Sequence, residues 1–251
     1  MSSTIDRGFS ILECFGRHQK PLRLAEVVDD LNLPKQTVHR LLKQLESIGL
    51  LERDVHPEKF KLGTRMRRLG IAAIISQHST AFTRAILDNL VNRFEETVNI
   101  GVLDNGEVLY IDRVECHWPL RVQLSPGSRV KVHCTAIGKL LLAHLPEPQL
   151  AVTLSNMSLA KYTPTTITDG AALEAECNKI RAQGYSENIG EDHQGLVALA
   201  VPIFDERNQV IAGIAVHAPE ARMSLEIMHS HLDALTNAAA KLSIALIDGA
   251  T

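Results

Sequence analysis

The sequence lacks the long apolar runs and the leader segment that mark membrane and secreted proteins. No stretch of its 251 residues reaches the ~18 continuous apolar residues that a membrane span needs. The best candidate, residues 71–75, is far too short. The first residues also lack the apolar core of a signal peptide. These absences predict a cytoplasmic protein with no membrane partner.

Paired cysteines are also absent, because the four cysteines are far apart and none forms a Cys-x-x-Cys motif. This spacing disfavours a zinc ribbon or a thioredoxin-type site, and reduced thiols are the default in the cytoplasm. We therefore expect neither a metal nor a cofactor. The four positions are Cys14, Cys116, Cys134 and Cys177.

The composition is that of an ordinary globular protein, with 45% apolar and 22% charged residues. The net charge of −3 hides an asymmetry. Residues 1–78 hold 13 basic and 9 acidic side chains, whereas residues 79–251 hold 13 basic and 20 acidic ones. Any contact with a polyanion is therefore expected in the first 78 residues.

Three short amphipathic helices are predicted in the first 50 residues, over 5–15, 24–31 and 34–48. The first has an apolar stripe of Ile5, Phe9, Leu12 and Phe15, and the third has one of Val38, Leu41, Leu42, Leu45 and Ile48. The opposite face of the third helix carries no acid before Glu46. Two short strands, over 50–53 and 59–62, are predicted to follow.

This order of elements is that of a winged helix-turn-helix, whose third helix enters the major groove of DNA. Residues in the N-terminal half of that helix are predicted to meet base edges. They are Gln36, Thr37, His39 and Arg40. Four lysines are predicted to contact phosphates: Lys35, Lys43, Lys59 and Lys61. A plain helical bundle with a solvated basic face is the alternative to this DNA-binding interpretation.

The segment 33–42, with Leu45, Gly49 and Leu62-Gly63, resembles the DNA-binding domain of the IclR family of bacterial transcription regulators. One departure is Arg23, where many members carry a small residue that caps the second helix. The resemblance continues through residues 126–128, 133–139 and 198–203, with Glu191 and Gly195 between the last two, and so covers nearly the whole chain.

Beyond residue 62 the sequence predicts a connecting helix and then a mixed α+β body, without the regular strand–helix alternation of a doubly wound sheet. Asn105-Gly106 between apolar runs indicates a hairpin. Helices are predicted over 82–94, 135–144, 171–183 and 224–247, and strands over 98–103, 108–114, 120–124, 196–204 and 210–217. The resemblance implies a GAF-like sensor domain with an antiparallel sheet. We therefore expect a winged helix-turn-helix domain over 1–62, a linker helix over 63–78, and an effector-binding and oligomerisation domain over 79–251.

A helix N-terminus near 135–138 offers free N–H groups that favour an anion. Gly138-Lys139 is not a phosphate loop, because His133 and Leu140 stand where that motif needs Gly and Ser or Thr. A glycine turn that only lets the helix pack closely is the alternative. The resemblance implies that this segment lines an effector pocket whose backbone N–H groups hold a carboxylate. The pocket residues that the resemblance implies are Val122, Val130, His133, Ala136, Ile137, Gly138, Asn188, Leu196, Ala198, Ala215 and His217.

A mostly apolar pocket with a histidine and an anion-binding helix end indicates a small organic acid as effector, with aromatic acids among the candidates. His133, His193 and His217 lack the spacing of a zinc site. His217 stands where many family members carry a small hydroxyl residue. It could pair with an acidic effector or simply shrink the pocket.

The leading hypothesis is a ligand-responsive transcription regulator, not an enzyme, that binds a palindromic operator as a homodimer or homotetramer. Repression and activation both stay open. A second hypothesis is a thiol-based redox enzyme or sensor that uses Cys116, Cys134 or Cys177, with the first domain as a docking module. A third is a DNA-bound structural protein without a ligand.

Overall fold

The structure, a computed structural model, describes residues 3–18, 20–76, 81–119 and 121–248. The chain divides into two compact units, Met1–Ser76 and Gln77–Thr251. Each unit has its own buried apolar core. Among the described residues, no helix combines the length and the apolar character that crossing a bilayer requires.

The first unit is helical with a small antiparallel sheet whose order is β1-β3-β2. Its elements are α1 (Thr4–His18), β1 (Leu22–Arg23), α2 (Leu24–Leu31), α3 (Lys35–Ser47), β2 (Leu51–Arg53), β3 (Lys59–Leu62) and α4 (Thr64–Ser76). Asn32 ends α2 in the left-handed conformation, with φ 49°. Pro34 then caps α3, so a tight turn separates the two helices as predicted.

Three side chains of the predicted apolar stripes lie outside the core of the first unit. Ile5 and Phe9 on α1 are 71% and 57% exposed, and Ile48 after α3 is 47% exposed. The prediction that they face inward is wrong for the described unit, because Ile11, Leu12, Cys14 and Phe15 already fill the space under α1. Helical spacing identified the apolar stripe, but it did not show which residues of the stripe lie outside the core.

The second unit is built on a six-stranded antiparallel sheet of order β6-β5-β4-β9-β8-β7. Its strands are β4 (Thr97–Asp104), β5 (Glu107–Val114), β6 (Arg129–Lys131), β7 (Ser186–Ile189), β8 (Leu196–Phe204) and β9 (Val210–Pro219). Its helices are α5 (Ala81–Phe94), α6 (Ala136–Ala143), α7 (Glu147–Asn156), α8 (Gly170–Gln183), α9 (Leu225–Ser230) and α10 (Leu232–Asp248). The predicted α+β class with an antiparallel sheet is confirmed.

The predicted hairpin joins β4 to β5, with Asp104 opposite Glu107. Asn105 and Gly106 have φ values of 55° and 76°. Positive φ at both central residues defines a type I′ turn, whose twist matches that of the flanking strands. The two-residue turn fixes the register from Asp104 to Gly101, and an irregularity between Ile100 and Gly101 shifts it by one residue, so that Asn99 lies opposite Arg113.

The predicted strand over 120–124 is wrong for residues 121–124, which join no sheet, and Leu120 lies outside the described residues. Its alternating pattern has another cause. Val122 and Leu124 both face a cavity, and the Val122 carbonyl accepts a hydrogen bond from the Arg113 side chain instead of a neighbouring strand. The third strand of this half of the sheet is β6, which sequence patterning missed.

The predicted long C-terminal helix is interrupted at His231, which separates α9 from α10. The His231 N–H donates to Met228 O at 3.1 Å, and its ring meets the Phe94 ring edge-on at 5.3 Å. The interruption turns His231 onto α5. The sequence analysis also missed the short elements α7 and β7.

Helix α6 is buried along its whole length and sits very close to its surroundings. Gly101 on β4 and Gly213 on β9 leave room for Ile137, whose methyl carbon lies 3.2 Å from the position that a Cβ would take at either glycine. At Gly138 a Cβ would lie 2.1 Å from Val132 O. Glycine at these three positions therefore lets the helix pack this closely, most strictly at Gly138, where the overlap would be with the backbone.

Replacing Gly138 with alanine is expected to lower the free energy of unfolding by about 3 kcal/mol, because the added methyl group would overlap the Val132 backbone. Urea unfolding of the full-length protein, followed by circular dichroism, measures this change.

Gly170→Ala is the matched control, because nothing lies within 4 Å of a Cβ at that first residue of α8. We expect its stability to be unchanged or to rise by up to about 1 kcal/mol. Equal losses in both variants would contradict the close seating of α6.

Candidate functional site

Helix α3 presents a basic and polar face to solvent. Its apolar side chains, including Val38, Leu41 and Leu42, are buried in the first unit. The predicted base-reading and phosphate residues on this helix lie on the opposite side. Lys35, Gln36, His39, Arg40 and Lys43 are exposed, and Thr37 is half-buried. Such a face matches the groove-facing side of a recognition helix.

The hairpin of β2 and β3 forms a wing beside this helix, but its two predicted phosphate contacts differ in their surroundings. Lys59 and Lys61 are both half-buried. The Lys61 ammonium lies 3.4 Å from the Glu52 carboxylate, which offsets its charge. The Arg53 guanidinium stacks 3.8 Å from the centre of the Phe60 ring and stiffens the wing.

Arg23, the departure at the start of α2, is held by two carboxylates. Its backbone N–H donates to the Glu26 carboxylate at 2.8 Å, and its guanidinium reaches Glu58 at the wing at 3.3 Å. Glu26 therefore satisfies a backbone donor at this helix start without a small capping residue. The Arg23 side chain also bridges α2 to the wing.

A cavity of about 200 Å³ lies in the second unit, between one face of the sheet and the start of α6. Nine of the eleven predicted pocket residues line it. They are Val122, Val130, Ala136, Ile137, Asn188, Leu196, Ala198, Ala215 and His217. The lining also includes six residues that the sequence analysis did not assign to the pocket: Asn99, Tyr110, Leu124, Thr135, Asp192 and His193.

The other two predicted pocket residues, His133 and Gly138, do not line the cavity. The His133 ring is buried, lies 3.0 Å from Ala160 O through Nε2, and packs against Tyr162. Gly138 packs against the Val132 backbone. Both residues support the segment before α6, on the side away from the cavity.

A chain of side-chain hydrogen bonds crosses the sheet beneath the cavity. The buried Arg113 on β5 donates to Asn99 Oδ1 on β4 at 2.6 Å, and Asn99 Nδ2 lies 2.7 Å from His217 Nδ1 on β9. Arg113 also donates to the Val122 carbonyl. The signal for this network was a polar residue inside each of two apolar strand runs, at Asn99 and Arg113.

His217 is kept neutral by its surroundings. The accessible part of its ring lines the cavity, and Nε2 is buried without a hydrogen-bond partner among the described residues. Burial and, to a smaller extent, the nearby Arg113 charge lower the pKa of His217 to about 3. The side chain is therefore a neutral hydrogen-bonding group in the cavity wall. This argues against the expectation that it pairs with an acid as a cation.

The first turn of α6 opens onto the cavity. Thr135 caps the helix by accepting from the Gly138 N–H at 3.3 Å. The N–H groups of Ala136 and Ile137 have no intrahelical acceptor, because first-turn N–H groups never do. First-turn N–H groups and the positive end of a helix dipole are features that favour an anion.

One acidic residue, Asp192, also lines the cavity, and its carboxylate is already engaged. Asp192 Oδ1 accepts from Asn188 Nδ2 at 2.6 Å and from the His193 N–H at 2.9 Å. Its other oxygen lies 3.2 Å from His193 Nδ1. Nearby, burial raises the pKa of Tyr110 to about 12, so its phenol is neutral.

The Lys139 ammonium is engaged in buried ion pairs and does not form part of a phosphate-binding loop. It is 2% exposed and forms an ion pair with the buried Glu191 carboxylate. A second carboxylate, on Glu176 of α8, lies 3.6 Å from the same ammonium. Burial raises the pKa of Glu191, although the Lys139 charge opposes that shift. Lys139 therefore ties α6 to the turn after β7, which carries Asp192.

The cysteines have the surroundings of inert thiols. All four are buried and free. Burial raises the pKa of Cys134 to about 12 and that of Cys14 and Cys177 to about 11. A raised pKa disfavours the thiolate, which is the reactive form. These environments argue against the redox hypothesis.

One possible metal-ligand set occurs among the described residues, in the first unit. Ligand atoms of Cys14, His18 and Asp30 lie within 4.8 Å of one another. The Asp30 carboxylate already accepts from Arg17 at 2.6 Å, and its other oxygen lies 2.9 Å from His18 Nε2. These contacts account for the cluster without an ion.

Comparisons with known proteins agree with both halves of this geometry. A family model described as the C-terminal part of the bacterial transcriptional regulator IclR matches residues 71–244. The model of the IclR helix-turn-helix domain matches residues 4–55. The chain belongs to the IclR family. The IclR resemblance read from the sequence is thereby confirmed.

IclR-family relatives match along most of this chain. It is 42% identical over 220 residues to the probable transcriptional regulator SauR of Cupriavidus necator, covering 88% of this chain and 87% of that protein. It is 30% identical to the transcriptional repressor IclR of Escherichia coli, covering 88% and 81%. These relatives are named as regulators or repressors. The chain is a DNA-binding transcription regulator, and its role is not enzymatic.

Solved structures of IclR-family proteins have the same architecture. The Thermotoga maritima IclR structure matches with a TM-score of 0.64 and 26% identity, covering 96% of this chain and 98% of that one. An IclR homologue of Microbacterium hydrocarbonoxydans, solved in complex with 4-hydroxybenzoate, matches with a TM-score of 0.60 and 26% identity, covering 98% and 100%.

The neutral His217 predicts a specific dependence of stability on pH. The unfolded chain takes up a proton on this residue near its ordinary pKa of 6.5, whereas the folded protein does so only at about 3. This contribution to stability is complete above 6.5 and is lost as the pH falls towards 3. Between about pH 6 and pH 4, the free energy of unfolding should therefore fall more steeply in the wild type than in His217→Phe, by up to about 1.4 kcal/mol per pH unit.

Urea unfolding of both proteins at several pH values measures the two slopes, so a uniform stability difference between them does not matter. Parallel curves would contradict a neutral His217.

Proposed function

We propose that this regulator binds a small organic acid in the cavity of its second unit and that binding changes the affinity of the first unit for an operator. In this proposal residues 1–62 bind DNA, residues 63–78 connect, and residues 79–251 sense the ligand and hold the oligomer together. The main supporting observation is that nine predicted pocket residues from six separate segments line a single cavity.

The start of α6 supports an acid as the ligand. No lysine or arginine among the described residues lines the cavity, so an anion there would rely on the Ala136 and Ile137 N–H groups and the helix dipole. The cavity of about 200 Å³ is smaller than the ~300–1,000 Å³ of drug-sized sites. The aromatic walls of Tyr110 and His217 also suit a planar acid, and the 4-hydroxybenzoate in the Microbacterium homologue supports that class.

The exposed face of α3 supports the division of labour on DNA. Gln36, Thr37, His39 and Arg40 occupy the half of the helix that would meet base edges. Four lysines would contact phosphates, namely Lys35, Lys43, Lys59 and Lys61. Because Lys61 is paired with Glu52, we expect it to contribute least of the four.

The oligomer is part of the proposal, since one recognition helix reads only a half-site. A homodimer or homotetramer on a palindromic operator would supply the second half-site. Regulation requires that the acid bind two states of the protein with different affinity, because a ligand with equal affinity for both shifts nothing.

Single substitutions on α3 should separate base contacts from phosphate contacts. We expect Gln36→Ala and Arg40→Ala to weaken binding to the specific site by about 10- to 100-fold, because each removes a base contact. They should change binding to scrambled DNA much less. Lys43→Ala should weaken both and reduce the salt slope of log K by about one. Fluorescence anisotropy with duplex DNA from upstream of the protein's own gene, at several salt concentrations, measures these effects.

Lys161→Ala is the control, because this exposed lysine lies in the second unit. It should leave both affinities unchanged. If all four variants behave alike, or if the wild type binds both DNAs equally, the assignment of α3 fails.

Filling the cavity should abolish ligand binding. Ala198→Leu places extra carbon atoms against the lining, whereas Ala175→Leu adds the same atoms on the exposed face of α8. Calorimetry with a panel of small carboxylates, including 4-hydroxybenzoate, pyruvate and malonate, should find an acid that binds the wild type and Ala175→Leu but not Ala198→Leu. The same acid should shift the DNA-binding curve.

The contrary results are also clear. An acid that binds Ala198→Leu as tightly as the wild type occupies another site. No binding of any acid in the panel to the wild type would count against an organic-acid effector and favour the ligand-free hypothesis.

A further inference from the structure

The cavity contains a hydrogen-bond donor that nothing in the described protein satisfies. Asn99 engages Nδ1 of His217 at 2.7 Å, while Nε2 is buried without a partner. A buried polar group without a partner is unfavourable, because it loses its hydrogen bond to water and gains none in return. Because Nε2 has almost no accessible surface, a ligand oxygen can reach it only if the ring turns towards the cavity that His217 lines.

The side chains behind His217 fix which nitrogen carries the proton. Arg113 is a pure donor, so the atom of Asn99 that it contacts at 2.6 Å must be the amide oxygen. The amide NH₂ of Asn99 therefore faces His217 and donates to Nδ1. A neutral imidazole has one acceptor nitrogen and one N–H, so the proton lies on Nε2.

We infer that His217 is a specificity-determining residue that donates its Nε2–H to a second acceptor oxygen of the effector, with Asn99 and Arg113 as positioning residues that hold the imidazole in this tautomer. This inference rests on the proposed acid-binding function and adds a chemical requirement to it. The first oxygen group of the ligand would be the acid at the start of α6.

The required ligand chemistry follows from the direction of the hydrogen bond. A hydroxyl, a carbonyl or a second carboxylate offers an acceptor oxygen to Nε2–H, whereas an ammonium group or a methyl group does not. The buried Arg113 guanidinium, at the far end of the hydrogen-bonded relay Arg113–Asn99–His217, adds positive potential that favours an electron-rich oxygen. Hydroxy acids, oxo acids and diacids should therefore bind more tightly than the matching simple acids.

Besides its contact with Asn99, Arg113 makes a second positioning contact, which connects the relay to another wall of the cavity. Its guanidinium donates to the Val122 carbonyl, and Val122 lines the cavity. One buried side chain thus sets both the proton position on His217 and the place of the 121–124 segment.

Ring-¹⁵N NMR of histidine-labelled protein tests the tautomer without any ligand. We expect the His217 signals, assigned by their loss in His217→Phe, to show a protonated Nε2 and an unprotonated Nδ1 at neutral pH. In Asn99→Asp the carboxylate can only accept, so Nδ1 should become protonated. A wild-type signal with the proton on Nδ1, or an unprotonated Nδ1 in Asn99→Asp, would overturn the positioning role.

Matched pairs of acids test the donated hydrogen bond. We expect calorimetry to show that 4-hydroxybenzoate binds more tightly than benzoate, or pyruvate and malonate more tightly than propanoate, by about 10-fold or more. In His217→Phe this preference should fall to within about threefold. His117 is exposed and lies outside the cavity lining, so the control variant His117→Phe should keep the wild-type preference.

The outcomes separate this inference from the proposed function. If the acids bind but show the same preference in His217→Phe as in the wild type, the acid-binding function stands and the role of His217 is overturned. If no acid binds the wild type or the His117→Phe control, the acid-binding function itself fails, and the requirement for a second oxygen fails with it.

Discussion

The second unit depends on the close seating of one buried helix, α6. Glycines at 101 and 213 let Ile137 press against the middle of the sheet, and Gly138 lets the helix start directly beside the Val132 backbone. This placement brings the first-turn N–H groups of α6 to the cavity wall. The buried ion pair between Lys139 and Glu191 then ties the helix to the turn that supplies two further lining residues. Breaking a buried pair by removing one partner is costly, so this constraint is a firm one.

Two kinds of polar group meet in a cavity that is otherwise largely apolar, and they come from different parts of the fold. The α6 N-terminus is a backbone feature that any sequence able to form this helix would offer to an anion. The relay of Arg113, Asn99 and His217 consists of side chains, each on a different strand. It therefore depends on which residues this sequence has at those three positions. The helix N-terminus favours anions in general, whereas the side-chain donor favours particular ligands. Changing only the side chains would let one fold serve different ligands.

Much of the fold could be predicted because local signals were strong. Asn105-Gly106 fixed a hairpin, Asp169 and Gly184 bounded α8 as its caps, and the third helix of the first unit showed a clean apolar stripe. The failures share one cause. The alternation over 120–124 and the apolar pattern over 224–247 were correctly periodic. Periodicity, however, does not report whether a strand finds a partner or whether a helix must bend to bring His231 onto Phe94.

The family, the order of the elements and the basic face of α3 follow from motifs and spacing along the chain, and the resemblance to the IclR family implies most of the residues that line the cavity. The structure was needed to show that His133 and Gly138 do not line the cavity, and that Asn99 contacts both Arg113 and His217. These relations include the contact between Asn99 and His217, which are 118 positions apart. They depend on which strands are neighbours and in what register, and strand neighbours and register are set by the packing of the whole unit.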